Sequence, residues 1–408
     1  MMTSDRFPRS LGIKPLKFPR FDTPHATIET NRTCDIRCSA CYNLNRTHVK
    51  TIAEIRAEID LALSLRNLAM ITLLGGEPTL HPGLAEIAAY VKSKGLTCQI
   101  LTNGLTILKD ESGRYLAGLA AAGVDRIVLH VDSGQSHVHG DIEAARCALF
   151  AKLEAAKIRF SLSLTIYDGR QGEIPDLVRR YASYRYFDGI LAILARDAPP
   201  VKIQHPELAL EYDALARSLA VQPVAYVPSS LSDTDVHWLV YFYFMDAGTG
   251  EAFALSPLAY RIFLRAHKLL RGRNLLNAAI PPRLTPLLAA AAGAGEVLLH
   301  PGRLSAFAAF LARPARSQAQ EAPRPRRPRR SRLRFHYIAI QTPPEFNERR
   351  GIHQFCYSCP DATIRNGKLT PVCVADRVSP LPGEARAVDA ALARAVYGPM
   401  REPAGLTA

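Results

Sequence analysis

Two groups of cysteines carry spacings from which chemistry can be read. The first is Cys34-Asp35-Ile36-Arg37-Cys38-Ser39-Ala40-Cys41. Three thiolates on one short loop can cap three irons of a cubane cluster and leave the fourth iron without a protein ligand. An open metal position is what a catalytic site needs, whereas a structural site normally supplies four ligands. The spacing also admits a zinc site completed by a residue such as His48. The second group begins His353-Gln354-Phe355-Cys356-Tyr357-Ser358-Cys359-Pro360-Asp361 and ends Pro371-Val372-Cys373, with Asn366-Gly367 between. Asn-Gly is a hairpin signal, so Cys373 is expected to fold back towards Cys356 and Cys359. With a fourth ligand from His353, Asp361 or the core, these cysteines suit zinc or a second iron–sulfur cluster. The remaining two, Cys98 and Cys147, fall on a strand and an Ala-rich helix and read as core packing.

The elements that must position the first loop repeat along residues 25–200. Short β-branched runs at Ala26–Thr30, Met70–Leu74, Thr97–Thr102, Arg126–Val131, Phe160–Ile166 and Gly189–Leu194 read as strands. Helical stretches at Thr51–Asn67, Gly83–Lys94, Tyr115–Ala122, Asp141–Ala156 and Gly172–Tyr181 separate them. Alternation at this spacing predicts an α/β fold, with a parallel sheet, crossover helices and chemistry at the C-terminal strand ends. The cysteine loop directly follows the first strand. Gly75-Gly76-Glu77 follows the second, where glycines allow close backbone approach and a carboxylate can take an ammonium group.

Together these motifs resemble the radical S-adenosylmethionine (SAM) superfamily over about residues 25–200. The resemblance implies a partial (β/α)6 barrel and a [4Fe–4S] cluster held by Cys34, Cys38 and Cys41. The open iron would bind SAM, with Gly75, Gly76 and Glu77 receiving the methionyl ammonium. Reductive cleavage would then give a 5′-deoxyadenosyl radical that abstracts hydrogen from substrate. Asn103 in Thr102-Asn103-Gly104 matches the family's frequent TNG. Asp132 and Ser133 after the fourth strand, and Thr165 ending the fifth, stand where family members contact SAM. Read as residues alone, all four also suit turns and helix caps. His130, His137 and His139 suit either a metal cluster or a solvated turn. One departure from the family is Ala40, where the residue before the third cysteine is usually aromatic and packs the adenine; Tyr42 follows that cysteine instead.

The C-terminal cysteines are similar to auxiliary-cluster extensions of the SPASM or Twitch kind, with too few cysteines for two auxiliary clusters. The implied cofactors are SAM, one catalytic [4Fe–4S] cluster and one auxiliary cluster. The implied partner is an electron donor such as flavodoxin or ferredoxin. A looser similarity joins His130-Val131-Asp132-Ser133-Gly134-Gln135 and the C-terminal cysteine run to enzymes that couple lipid chains through C–C bonds.

The whole chain then divides into an N-terminal extension (1–24), a core (25–200), a mixed middle region (201–312), a linker (313–332), an auxiliary module (333–385) and a tail (386–408). In the middle region, His237–Met245, a turn at Asp246–Gly250 and Glu251–Leu255 predict a hairpin, and Leu258–Arg271 a basic helix. The apolar middle region is expected to cover the open barrel end and to suit a hydrophobic substrate. Of the net charge of +14, the stretch 313–334 holds nine Arg against Glu321, a net of +8, leaving +6 elsewhere. Its Pro-rich run reads as a solvated linker. No apolar window is long enough to span a membrane, and the N-terminus lacks a signal-peptide core, so a cytoplasmic protein is expected. Two other activities compete with the general radical reading. One is peptide modification of the SPASM type. The other, from a different class, is a zinc-stabilised nucleic-acid-binding protein using the Arg run, which leaves Gly75–Glu77 without a role.

Overall fold

The computed structural model describes residues 12–38, 41–43, 46–167, 170, 172–195, 208–230, 232–247, 249–275, 285–312, 333–347, 352–381 and 388–397. Strands β1 (His25–Asn31), β2 (Met70–Gly75), β3 (Thr97–Thr102), β4 (Arg126–His130), β5 (Arg159–Ile166) and β6 (Phe187–Leu194) run parallel and adjacent in chain order. Helices at Ile52–Leu65, Leu84–Ser93, Arg114–Ala121, Ile142–Ala156 and Ile174–Tyr181 make the crossovers. This is the predicted partial barrel. Its strands alternate in the expected way: Ala26 and Ile28 of β1 pack outward into the main core, while His25 and Thr27 line the interior. Thr51 starts the first crossover helix with a capping box, accepting from the Glu54 amide at 3.2 Å while the Glu54 carboxylate takes the Thr51 amide at 2.7 Å.

Beyond β6 the sheet continues in a way the sequence did not announce. Strands β7 (Ala225–Pro228), β8 (Val236–Asp246), β9 (Ala252–Ala254) and β10 (Leu333–Gln341) extend it to ten strands among the described residues. β8 and β9 form the predicted hairpin. β10 inserts between β6 and β8, parallel to the first and antiparallel to the second. The strand that opens the expected auxiliary module (333–385) therefore belongs to the main sheet. β8 is buried on both faces, which explains its unbroken apolar run. Leu239, Tyr241 and Tyr243 face the main core, and Val240, Phe242 and Phe244 meet Tyr260 and Phe263 of the helix Pro257–Arg271. The middle region thus widens the sheet and covers its side; none of its described residues lines the barrel mouth, contrary to the expectation of a lid. The Arg/Pro linker lies outside the described residues. Among the described residues no helix is long and apolar enough to cross a membrane.

After β10 come the short pair β11 (Glu345–Asn347) and β12 (Ile352–Gln354), then the hairpin β13 (Ala362–Arg365) and β14 (Lys368–Pro371). Asn366 and Gly367 both take positive φ, 47° and 73°, as the predicted Asn-Gly turn requires. This segment packs on the free edge of β1. Behind it, the Tyr357 amide donates to the Pro228 carbonyl at 2.8 Å, and the Arg66 guanidinium donates to the carbonyls of His25 at 2.6 Å and Cys359 at 2.9 Å.

A closed ring of four buried charges fastens the hairpin to the barrel. Arg32, just after β1, pairs with Glu29 of β1 and with Asp376. Arg365 of β13 approaches the same two carboxylates at 2.6 and 3.0 Å. All four side chains are almost wholly buried. Two cations and two anions neutralise each other, so no net charge is left in the low-dielectric interior. Removing one member strands the others, and Arg365→Met is expected to cost about 3–5 kcal/mol of unfolding free energy. Urea denaturation of the two proteins measures it; an unchanged midpoint would contradict this account.

Candidate active site

A pocket opens at the C-terminal ends of the parallel strands, where this architecture places chemistry. Cys34, Cys38 and Cys41 all line it, with Gly75, Gly76, Glu77, Asn103, His130 and Thr165. The cysteine loop is shaped by its own backbone, with the Cys41 amide donating to the Cys38 carbonyl at 3.3 Å. Two N–H groups point at sulfur: the Asn43 amide reaches Cys41 Sγ at 3.4 Å and Gln135 Nε2 reaches Cys38 Sγ at 3.5 Å. Burial pushes the Cys34 thiol up and the Cys38 thiol up to about 12. Deprotonating these thiols alone is therefore costly, and a bound cation would offset that cost. Among the described residues, no group of three His, Cys, Asp or Glu side chains gathers around a single ion. Ligands to three separate irons do not have to converge on one point.

The two glycines have a structural role that the sequence reading did not include. A Cβ on Gly75 would lie 2.0 Å from the Asn31 carbonyl oxygen, and one on Gly76 2.1 Å from that of Thr33. They permit close approach to the root of the cysteine loop. There the Gly76 amide donates to Asn31 at 2.7 Å and the Glu77 amide to Thr33 at 2.8 Å. Glu77 is a buried staple. Its Oε1 accepts from the Thr79 amide at 3.0 Å and from the Thr79 and Thr102 hydroxyls at 2.6 Å each, and its Oε2 from the Asn103 amide at 2.7 Å. Burial raises its pKa against the pull of these bonds. Asn103 then donates through Nδ2 to Asp35 at 2.7 Å. A continuous path of hydrogen bonds so ties the ends of β2 and β3 to the cysteine loop. Gly76→Ala is expected to displace that loop, at a cost of about 1–3 kcal/mol for overpacking. Thermal unfolding together with iron uptake by the purified variant checks it: a wild-type melting point with full iron uptake would show that the loop tolerates a Cβ.

After β4 the structure separates residues that the sequence grouped. Asp132 does not line the pocket. Its carboxylate accepts from the Gly134 and Thr165 amides, both at 2.9 Å, and contacts His130 Nε2 at 2.9 Å. Ser133 sits in the short turn that Asp132 caps and also stays out of the lining. His130 is the residue that faces inward, with Thr165 Oγ1 3.2 Å from its Nε2. His137 and His139 stand on the following short helix, away from the pocket lining. Tyr42 lines the pocket beside Cys41, while Ala40 lies outside the described residues.

Burial works against the charged form of His130, but the Asp132 charge and hydrogen bond outweigh it and lift the pKa above the ordinary 6.5. Burial likewise pushes Asp132 up, and His130 with the two amides brings it below its ordinary value. The pair's stabilisation is complete below the ordinary His pKa and fades as pH rises through the raised one. The melting-point difference between the wild type and His130→Asn is expected to be largest near about pH 6 and to shrink on the alkaline side. A difference that grows with pH would contradict the assignment.

The β13–β14 hairpin folds the Cys373 segment back as the Asn-Gly turn predicts, with Ala362 paired to Pro371 and the Val372 amide donating to the Asp361 carbonyl at 2.9 Å. Cys373 lines the same pocket as the first three. Cys356 and Cys359 are buried behind, where Trp238 Nε1 donates to Cys356 Sγ at 3.1 Å. A hydrogen bond to Cys356 and burial hold the Cys359 thiol well above the ordinary range. The side chain of His353 is outside the described residues. Cys98 is buried in the core as expected, whereas Cys147 is exposed, its thiol 3.6 Å from Glu143. Four contributors escaped sequence reasoning: Gln135 at Cys38, Asp35 at Asn103, and the inward-facing Thr72 and Gln99. The last two had a signal, since each is a polar inward position in an otherwise apolar strand.

Residues 28–158 match the radical SAM superfamily, and this part of the chain is a radical SAM domain. Such a domain implies a [4Fe–4S] cluster and SAM. The Fe-coproporphyrin III synthase of Methanosarcina barkeri is 32% identical over 115 residues, 27% of this chain and 28% of that protein. The antilisterial bacteriocin subtilosin biosynthesis protein AlbA of Bacillus subtilis is 26% identical over 164 residues, 38% of this chain and 36% of that one. The chain thus spans about a third of the length of these curated relatives. Among solved structures, Streptococcus suis SuiB bound to S-adenosylmethionine aligns with a TM-score of 0.40 at 16% identity, covering 52% of this chain and 49% of that one.

Proposed function

We propose that this chain is a radical SAM enzyme whose Cys34, Cys38 and Cys41 hold a catalytic [4Fe–4S] cluster. The observation that carries this reading is three thiols facing one barrel pocket, with N–H donors aimed at two of their sulfurs. Bound there, the cluster and SAM supply a reductively generated 5′-deoxyadenosyl radical that takes hydrogen from substrate. The protein's part is to hold and shield. Gln135 and Asn43 donate hydrogen bonds that stabilise charge on sulfur, a known lever on cluster potential. Glu77 and Asn103 fix the loop, and Glu77 Oε2, which accepts from the Asn103 amide, keeps a second lone pair for the methionyl ammonium. Gly75 and Gly76 present backbone to the same ligand. His130 and Thr165, positioned by Asp132, offer polar contacts at the mouth, and Ser133 shapes the turn beside them. Tyr42 supplies an aromatic face near the third cysteine. The zinc and nucleic-acid reading has no use for this arrangement, nor for the family match.

The electron is expected to come from a low-potential carrier such as a flavodoxin or ferredoxin, and the reducing cytoplasm suits such thiols. The match to a bacteriocin biosynthesis protein supports peptide modification as a second reading. Cys356, Cys359 and Cys373 are the candidate ligands of one auxiliary cluster.

Anaerobic reconstitution is expected to load roughly four irons on the first loop and to support SAM cleavage by dithionite. The triple variant Cys34→Ala/Cys38→Ala/Cys41→Ala is expected to lose 5′-deoxyadenosine formation entirely. Iron that it retains counts what the C-terminal cysteines bind. Surviving SAM cleavage in that variant would remove the assignment.

A further inference from the structure

Positive charge and exposed apolar surface coincide in one part of the molecule. Residues 257–334 hold sixteen Lys and Arg against Glu296 and Glu321, a net of +14. The rest of the chain holds thirty-five of each sign, so this stretch carries the whole net charge. It also supplies six of the twelve large apolar side chains exposed among the described residues: Leu258, Ile262, Leu269, Leu270, Leu298 and Leu304. Leu269 is 86% and Leu298 78% exposed, so these are whole side chains in water and not the rim of the core. Single exposed leucines are ordinary, but six on three adjoining helices are not.

The helix Pro257–Arg271, about 22 Å long, sets out the arrangement. Ala259, Tyr260, Phe263 and His267 make its buried side. Leu258, Ile262, Arg265 and Leu269, at i, i+4, i+7 and i+11, share the opposite side and are exposed. The helix is thus apolar on two sides, and the protein covers one. Its cations are Arg261, Arg265, Lys268 and Arg271, and it has no acidic residue. Among the described residues only Lys268 of these four meets a carboxylate, that of Asp22 at 2.8 Å. Bonds at both ends lengthen the face. Near the start, the buried Glu296 accepts from the Ser256 amide at 2.8 Å and pairs with Arg303. That brings Leu298 of the helix Thr285–Leu299 and Leu304 of the helix Leu304–Ala312 to the Leu258 end. At the far end Asn274 Nδ2 donates to the Asp22 carbonyl at 3.0 Å, and with Lys268 it brings the exposed Phe21 to the Leu269 end.

We infer that this face lies flat on a bilayer containing anionic lipid. The aliphatic side chains enter the boundary between headgroups and acyl chains, and the Arg and Lys stems run beside them to reach phosphates. Anionic headgroups supply the countercharge that residues 257–334 lack. A nucleic acid would use the cations and leave the leucines in water, because it is held through phosphates and by stacking on flat side chains. A second copy of the chain would bring like charge to like. None of these residues lines the barrel pocket, so the inference goes beyond the radical SAM reading and does not rest on it. It gives the middle region, which widens the sheet without reaching the mouth, a task of its own.

Sedimentation of the full-length protein with lipid vesicles tests it. The vesicles are phosphatidylcholine with about 30% phosphatidylglycerol, compared with phosphatidylcholine alone, at about 0.15 M salt. Binding to the anionic vesicles is expected, with little on the neutral ones, and it is expected to weaken as salt rises. Leu269→Ser/Leu270→Ser is expected to weaken it about tenfold or more. Arg265→Gln/Arg271→Gln is expected to weaken it about tenfold. All four side chains are exposed, so both variants are expected to melt with the wild type. Wild-type binding by the leucine variant would mean that charge acts without insertion, and it overturns the inference; so does wild-type binding by the arginine variant. Absence of vesicle binding overturns it too, and duplex DNA or polyglutamate held at the same salt would then assign the charge to a nucleic acid or an acidic protein. SAM cleavage enters none of these measurements, so their failure leaves the radical SAM reading standing.

Discussion

Four buried charges meet where the cysteine loop leaves β1, and the site depends on their balance. Glu29 and Arg32 come from the barrel, Arg365 from the C-terminal hairpin and Asp376 from the short helix Ala375–Val378 that follows it. A partial barrel leaves β1 with a free edge and an interior open to one side. The ring holds the hairpin against that edge, and Arg32 stands two residues from Cys34. The loop's root and the closure of the barrel therefore share one electrostatic unit. Such a ring contributes little as a replacement for apolar packing, because desolvation consumes most of the attraction. What it provides is direction: only one docking of the hairpin pairs all four charges.

A second unit braces the same loop. The glycines let the β2 loop touch the root of the cysteine loop, and Glu77 then gathers Thr79, Thr102 and Asn103 around one carboxylate. Adjacent strand ends become a single rigid rim. Holding a metal-binding loop on a rim braced from two sides suits catalysis, where small displacements of reacting groups are costly. The same two units bring the C-terminal segment into the pocket, so that Cys373 and Asp361 share walls with the first cysteine loop although they are more than three hundred residues away in the chain.

Much of this was legible in the amino-acid order. The six parallel strands and their crossover helices follow from hydrophobic period and turn chemistry, which are local properties. The β8–β9 hairpin and the Asn366-Gly367 turn were legible for the same reason. The cysteine loop and Gly75–Glu77 could be recognised because both lie at strand ends, where short segments carry chemistry. That the glycines also let the β2 loop touch the root of the cysteine loop was not legible, because a sequence does not say which backbone comes near. Asp132 and Ser133 lie beyond the end of β4, in the turn that Asp132 caps, so His130 lines the pocket while Asp132 supports it from the side.

The order of residues by itself determined the βα repeat, the three thiols on one loop, and the glycine and carboxylate one unit later. These depend on spacings of a few residues, which local sterics and hydrogen bonding translate directly into structure. Only the tertiary structure decided that β10 joins the main sheet, that Cys373 lines the same pocket as the first cysteine loop, and that Asp361 reaches His25. Each depends on two distant segments finding complementary charge and shape, and no local pattern encodes which of many docking arrangements leaves no buried charge unpaired.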